Sequence, residues 1–156
     1  MKKILILSGG YSKEKEISRA SAKSIYKTLK DKYKILVCEP DSEFISKIKK
    51  FKPDVVYNSL HGRFGEDGYI QALLENLKVK YTHSGVNSSS IAMDKEISKK
   101  IFIQNNIRTP KFIKLNNFDL TKNKNTLLKN IETKLGFPVV IKPVDEGSSV
   151  DVNICN

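Results

Sequence analysis

The chain has 156 residues, 39% apolar and 29% charged. That is enough for one domain with a real core, or one domain and part of another, but too little for a large complete enzyme. No apolar run approaches the ~18 residues of a membrane-spanning helix, so no membrane role is expected. The net charge of +11 invites a nucleic-acid partner, but apart from Arg19, Arg63 and Arg108 the basic residues are lysines scattered along the chain. Base and phosphate recognition leans on arginine, so the charge is read as a solvated surface with no nucleic acid bound.

After Met1-Lys2-Lys3, the run Ile4 to Leu7 is too short for the apolar region of a signal peptide. It is read as a first strand, and the protein as cytoplasmic. The strand ends at Gly9-Gly10 and a helix follows over 16–30, with Ile17, Ala20, Ser21, Ile25 and Leu29 recurring at three- to four-residue steps. Lys34 to Cys38 is a second strand. Asp41-Ser42 can cap a short helix carrying Phe44, Ile45 and Ile48, which Pro53 ends. A third strand over 54–60 leads into Leu60-His61-Gly62-Arg63-Phe64-Gly65-Glu66-Asp67-Gly68.

Residues 69–77 are predicted helical, and 79–82 a short fourth strand at the sheet edge. This alternation implies a parallel sheet with helices on its faces. Asp94 opens a helix over 95–105 and Pro110 a strand over 111–115; 116–125 reads as a polar loop, 127–135 as a helix stopped by Gly136, and 138–142 as a last strand. The expected organisation is a Rossmann-like domain over 1–90 and an incomplete α+β domain over 91–156. Cys38 and Cys155 match neither a metal-ligand nor a redox spacing.

Three glycine-containing turns follow strand-like runs: Ser8 to Ser12, His61 to Gly68, and Asp145 to Ser149. In open α/β sheets ligands bind at the carboxyl ends of strands. Glu14 and Ser18 stand where capping is the ordinary explanation; alternatively Glu14 shares a crevice with His61 and binds an ammonium group. His61 by itself fits a satisfied loop histidine or a site group equally well. Lys95 falls in the first turn of its helix, where a cation is unfavourable unless an anion is near. Lys142 ends an apolar strand before a Gly-Ser-Ser turn whose N–H groups can cradle phosphate, and solvated surface is the other reading of both lysines. No Gly-Lys-Ser/Thr follows, so that turn is not a P-loop of the Walker type.

Five blocks together are more specific than any one turn: Gly9-Gly10 with Ser12, Glu14 and Glu16-Ile17-Ser18; His61 to Gly68; Tyr81-Thr82 with Ser84-Gly85-Val86; Met93-Asp94-Lys95 with Ser98-Lys99; and Val140 to Pro143 with Glu146 to Val150. In order and spacing they resemble the D-alanine–D-alanine ligase family, over essentially the whole chain. The resemblance implies an ATP-grasp enzyme of cell-wall peptidoglycan synthesis, with region 91–156 the start of the ATP-grasp central domain. It would use ATP and Mg2+ to turn one D-alanine into an acyl phosphate that a second D-alanine attacks, and it would be a homodimer. By position, Glu14 is implied to hold the first D-alanine's ammonium, with Ile17 and Ser18 beside it and His61 near its carboxylate. Lys95 and Lys142 match lysines on the ATP phosphates, Ser148 a serine bonded into the Glu14 network, and Ser149 part of the loop over the phosphates.

Two departures stand out, His83 and Asp151, where the family usually carries glycine. Asn156 falls near the middle of the family's length, so the resemblance implies that the adenine site, the magnesium-binding acidic residues and the contacts to the second D-alanine lie outside these residues. Beyond Lys142 the carboxylates Asp145, Glu146 and Asp151 suggest no metal site. The 156 residues alone are expected to be inactive, and the alternative is a non-catalytic D-alanine-binding module.

Overall fold

The computed structural model describes residues 1–122, 124–147 and 150–156. Strands β1 (Lys3–Leu7), β2 (Lys34–Cys38) and β3 (Val55–Asn58) form a parallel sheet in the order β2-β1-β3. Helix α1 (Lys15–Leu29) connects β1 to β2, α2 (Phe44–Phe51) connects β2 to β3, and α3 (Tyr69–Asn76) follows β3. Alternation along β1 divides the core between the two faces of the sheet. Ile4 and Ile6 meet Ala22, Ile25 and Leu29 of α1, whereas Leu5 and Leu7 meet Phe44, Ile48, Ile70 and Leu74 of α2 and α3. Because the apolar residues of β1 are shielded on both faces, the strand reads in sequence as an unbroken apolar run.

The chain leaves β1 toward one edge and returns to the other side for β3, so the order reverses beside β1. The turns after β1 and β3 therefore flank a crevice at the carboxyl end of the sheet. The ladder itself fixes their starting points, since Ser8 N–H donates to Cys38 O at 3.0 Å and Ser59 N–H to Leu7 O at 3.1 Å.

The expected strand over 79–82 is reduced to a single parallel bridge between Val56 and Tyr81. Two hydrogen bonds hold it, Val56 N–H to Lys80 O at 2.8 Å and Thr82 N–H to Val56 O at 3.0 Å. Helix α4 (Val86–Met93) follows, where sequence periodicity suggested no element. Its sequence VNSSSIAM has no apolar stripe, and its buried anchor is Ser89, whose Oγ donates to Ser84 O at 3.1 Å. Helix α5 (Lys95–Gln104) begins as expected, with Asp94 Oδ1 accepting from Ile97 N–H at 2.9 Å.

Residues 111–115 are not a strand among the described elements. Apolar alternation there finds no neighbouring strand to complete a ladder, and strand structure is made by pairing. The expected polar loop after it is helix α6 (Asn117–Lys122). Asn116 and Asp119 cap it reciprocally: Asn116 N–H donates to Asp119 Oδ2 at 2.9 Å and Asp119 N–H to Asn116 Oδ1 at 3.0 Å. Helix α7 (Lys124–Leu135) ends before Gly136, and β4 (Val139–Ile141) pairs antiparallel with β5 (Asn153–Cys155) in a separate two-stranded sheet. No helix among the described residues is long and apolar enough to cross a membrane.

Candidate functional site

Three turns meet around one carboxylate. Glu14 lies at the start of α1 with 2% of its surface exposed, and neither carboxylate oxygen has a hydrogen-bond partner among the described residues. From the β3 side, Gly62 approaches so closely that a Cβ on it would stand 2.3 Å from Glu14 Oε2. Gly62 also has φ +70, so its side chain is excluded twice, by conformation and by space. From the β4 side comes Gly147, where a Cβ would stand 3.2 Å from Oε2 and 3.4 Å from Oε1.

Ser12 fastens the first two turns together. Its Oγ donates to His61 O at 2.7 Å and accepts from Glu14 N–H at 3.1 Å. The backbone of Gly62 is tied in turn by its N–H to Glu66 Oε2 at 2.7 Å. Deeper in, Asn58 Nδ2 and Gln71 Nε2 both donate to Gly65 O, at 2.8 and 2.9 Å. Gly65 packs so tightly on Leu60 that an added Cβ would lie 2.4 Å from Leu60 Cβ. The loop bearing His61 is therefore held by buried amides, although it is a loop.

His61 Nδ1 lies 3.0 Å from Leu60 O, an atom that can only accept, so Nδ1 carries the proton. Its Nε2 faces Ser21 Oγ at 3.5 Å. One helical turn beyond Glu14, Ser18 Oγ is fully buried and also unpartnered among the described residues. Buried polar atoms are ordinarily satisfied. The two carboxylate oxygens of Glu14 can only accept, which complements a donor-only cation such as an ammonium group. Ile17, by contrast, is 47% exposed.

The lysines occupy the β4 side. Lys95 Nζ donates to Val144 O at 3.2 Å and to Glu146 O, and its own N–H donates to Val144 O at 3.0 Å, so it grips the backbone of the turn after β4. Lys142 is exposed and without an ion pair among the described residues. The pKa of Lys99 is lowered, first by burial and then by the charge of Lys142. Lys99 Nζ donates to Thr109 Oγ1 and Pro110 O, and the charge effect of Lys142 on it shows that the two cations share one positive region. Ser148 and Ser149 lie outside the described residues.

His83 and Asp151 both adopt positive φ, +94 and +53, the region where glycine is at home and other residues are strained. No three His, Cys, Asp or Glu among the described residues gather where they could hold a metal ion. A cleft of about 420 Å3 opens across Gly10 and His61, between α2 and α3, lined by Tyr11, Phe44, Ile45, Phe64 and Leu73. Glu14 is not part of its wall.

Sequence reading brought out Glu14, His61 and Ser18 but passed over Ser12, Ser21, Asn58 and Gln71 as parts of the site. Ser21 was an ordinary position on a helix face, and nothing in its spacing indicated that it stands opposite the His61 ring.

A parallel, switch-point sheet with a buried, unpartnered carboxylate at its carboxyl edge defines an α/β protein of the kind whose ligands bind at strand ends. The family model described as "D-ala D-ala ligase N-terminus" matches residues 39–84, and "D-ala D-ala ligase C-terminus" matches 101–156. The chain belongs to the D-alanine–D-alanine ligase family. It is 62% identical over 156 residues to a D-alanine–D-alanine ligase of Pelagibacter ubique, covering 99% of this chain and 50% of that protein. It is 46% identical to one of a Wolbachia of Brugia malayi, covering 97% and 42%. The crystal structure of the Bacillus anthracis D-alanine–D-alanine ligase superposes with a TM-score of 0.80 at 36% identity, covering 99% of this chain and 49% of that one. A second structure of that enzyme, complexed with ATP, superposes at 0.79. The chain thus spans about half the length of the curated relatives it matches.

Proposed function

We propose that these residues form the first-substrate half of an ATP-dependent D-alanine–D-alanine ligase that serves peptidoglycan synthesis in the cytoplasm. The observation that carries the reading is the Glu14 carboxylate, buried, without a partner among the described residues, and walled by two glycines from separate turns. A free carboxylate at that depth is costly unless a cation joins it, and a D-alanine ammonium supplies that cation. Ser18 offers a further acceptor, and His61, with its Nδ1 proton directed at Leu60 O, stands by the amino acid's carboxylate. Ile17 borders the entrance. In this reading residues 1–90 are one domain, and 91–156 begin the ATP-grasp domain.

ATP fits the cationic side of the site. Lys142 and Lys95 flank the turn after β4, and Lys95 keeps the backbone of that turn in place. Bound ATP supplies the phosphoryl group that activates the first D-alanine; the chain's own part is to orient that D-alanine and screen the phosphate charge. The family resemblance implies a place for Ser148 in the Glu14 network and for Ser149 in the phosphate loop, both outside the described residues. The described residues gather no cluster that could hold magnesium; the family resemblance implies that the metal would be bound with ATP by the other half of the family's length. The enzyme works as a homodimer.

Calorimetric titration of the purified chain with D-alanine tests the proposal. Heat of binding that is lost in Glu14→Gln supports it, and no heat with the unaltered chain overturns the amine-pocket reading. With ATP, magnesium and D-alanine present, the 156 residues are expected to release no phosphate and form no dipeptide. Turnover would contradict a half-site.

A further inference from the structure

The turn after β4 is held at both ends. At one, Lys95 binds the carbonyls of Val144 and Glu146. At the other, Lys13 Nζ meets Asp151 Oδ2 at 2.9 Å, a contact between residues 138 positions apart. Gly147 lies between these attachments with its backbone against the Glu14 carboxylate. Val150 N–H donates to Gly147 O at 2.9 Å, which links the position of Gly147 to the residue preceding Asp151. Lys13 is the residue immediately before Glu14, so the ion pair joins the two turns right beside the pocket.

The backbone supplies an independent observation. Asp151 sits at φ +53, the left-handed region that glycine enters freely and that Asp and Asn tolerate best among residues with a side chain. From that position its carboxylate reaches Lys13 on the other turn. The hydrogen bond and charge of Asp151, with a smaller contribution from Glu146, hold the Lys13 ammonium above its usual pKa. The Lys13 ammonium is therefore charged at neutral pH.

We propose that Lys13 and Asp151 are a positioning pair that seats Gly147 against Glu14 and so fixes one wall of the amine pocket. The purpose of the wall rests on the function proposed above; the geometry does not. With side-chain exposures of 65% and 63%, the attraction is open to salt screening, and the wall loosens as ionic strength rises.

Amide hydrogen exchange at Gly147 and Val150 in the full chain tests this, using Lys13→Gln, Asp151→Asn and the double variant. Asparagine accepts positive φ, so Asp151→Asn removes the charge without adding strain. Each single variant is expected to speed exchange about three-fold, as the loss of an exposed ion pair allows, and the double variant no more than either single one. Salt at about 0.5 M brings the unaltered chain to the same rate. Unchanged rates, or effects that multiply in the double variant, overturn the proposal. Run in parallel, D-alanine titration is expected to be about three-fold weaker in Asp151→Asn, and an unchanged affinity would also overturn it. If the unaltered chain gives no heat, the amine pocket fails as an idea, and the exchange rates still decide whether the pair positions Gly147.

Discussion

Replacing Glu14 by glutamine separates the cost of the pocket from its use. The carboxylate is 2% exposed and its oxygens have no partner among the described residues. An unpaired buried charge costs several kcal/mol even after relaxation, whereas an unsatisfied neutral amide costs about 1–3 kcal/mol. Glu14→Gln keeps the shape and removes the charge, so it is expected to stabilise the ligand-free chain by about 2 kcal/mol. For a chain of this size that raises Tm by roughly 4–8 °C. D-alanine acts in the opposite sense. At a hundred times its dissociation constant it stabilises the unaltered chain by about 2.7 kcal/mol, and this shift is absent in the variant. Thermal melts of both proteins, with and without D-alanine, give all four values. A variant that melts lower than the unaltered chain, or that still gains stability from D-alanine, would refute the argument.

Ser12→Ala removes the hydrogen bonds to His61 O and from Glu14 N–H and is expected to cost about 1–2 kcal/mol in a denaturant melt, near 1 kcal/mol per bond; no change would mean that the turns are held by something else. Gly62→Ala puts a Cβ 2.3 Å from Glu14 Oε2 at φ +70. It is expected to lower stability by at least about 1 kcal/mol and to abolish D-alanine heat. The Cys38 thiol is pushed from 9.0 up to about 11 by burial, to which Asp41 adds and which Lys47 opposes. Between those pH values the unfolded thiol gives up its proton while the folded one keeps it. The unfolded state then binds fewer protons, and this group's effect is that stability falls as pH rises from about 9 to about 11. Cys38→Ser is expected to flatten that part of a pH-stability curve, and an identical slope would contradict the assignment.

The half of the fold that was legible in sequence is the half with a buried parallel sheet. The apolar run Ile4 to Leu7 and the helix α1 lie where expected, but the face α1 buries is Ser18 and Ala22 with Ile25 and Leu29 packed beside them, whereas Ile17 and Ala20 of the expected stripe are exposed. Beyond residue 85 the chain is governed by other forces. α4 has no stripe to reveal it, and α6 depends on a reciprocal pair of Asx caps that reads in sequence as a polar loop. Residues 111–115 have strand-like residues but lack a strand to pair with, and β5 is three residues long, too short for alternation to register.

The site divides in the same way. Glu14, His61 and Gly62 could be picked out because unusual residue types sat in glycine-containing turns after strands. Ser12 and Ser21 could not, since their contacts to His61 span 49 and 40 residues, and Asn58 and Gln71 could not, since their roles depend on both amides meeting the one carbonyl of Gly65. His83 and Asp151 were visible as departures from the family's glycines. Only coordinates reveal that both have kept the glycine-like backbone.

The His61 turn borders both the buried Glu14 carboxylate and the cleft between α2 and α3, and the account stands on which of the two takes D-alanine. Amide chemical shifts of the isotope-labelled chain, followed as D-alanine is added, distinguish them. The account predicts movement at Glu14, Ser18, Gly62 and Gly147, with Ile45 and Leu73 unmoved. Shifts confined to Ile45, Phe64 and Leu73, with Glu14 and Gly147 unaffected, would contradict it.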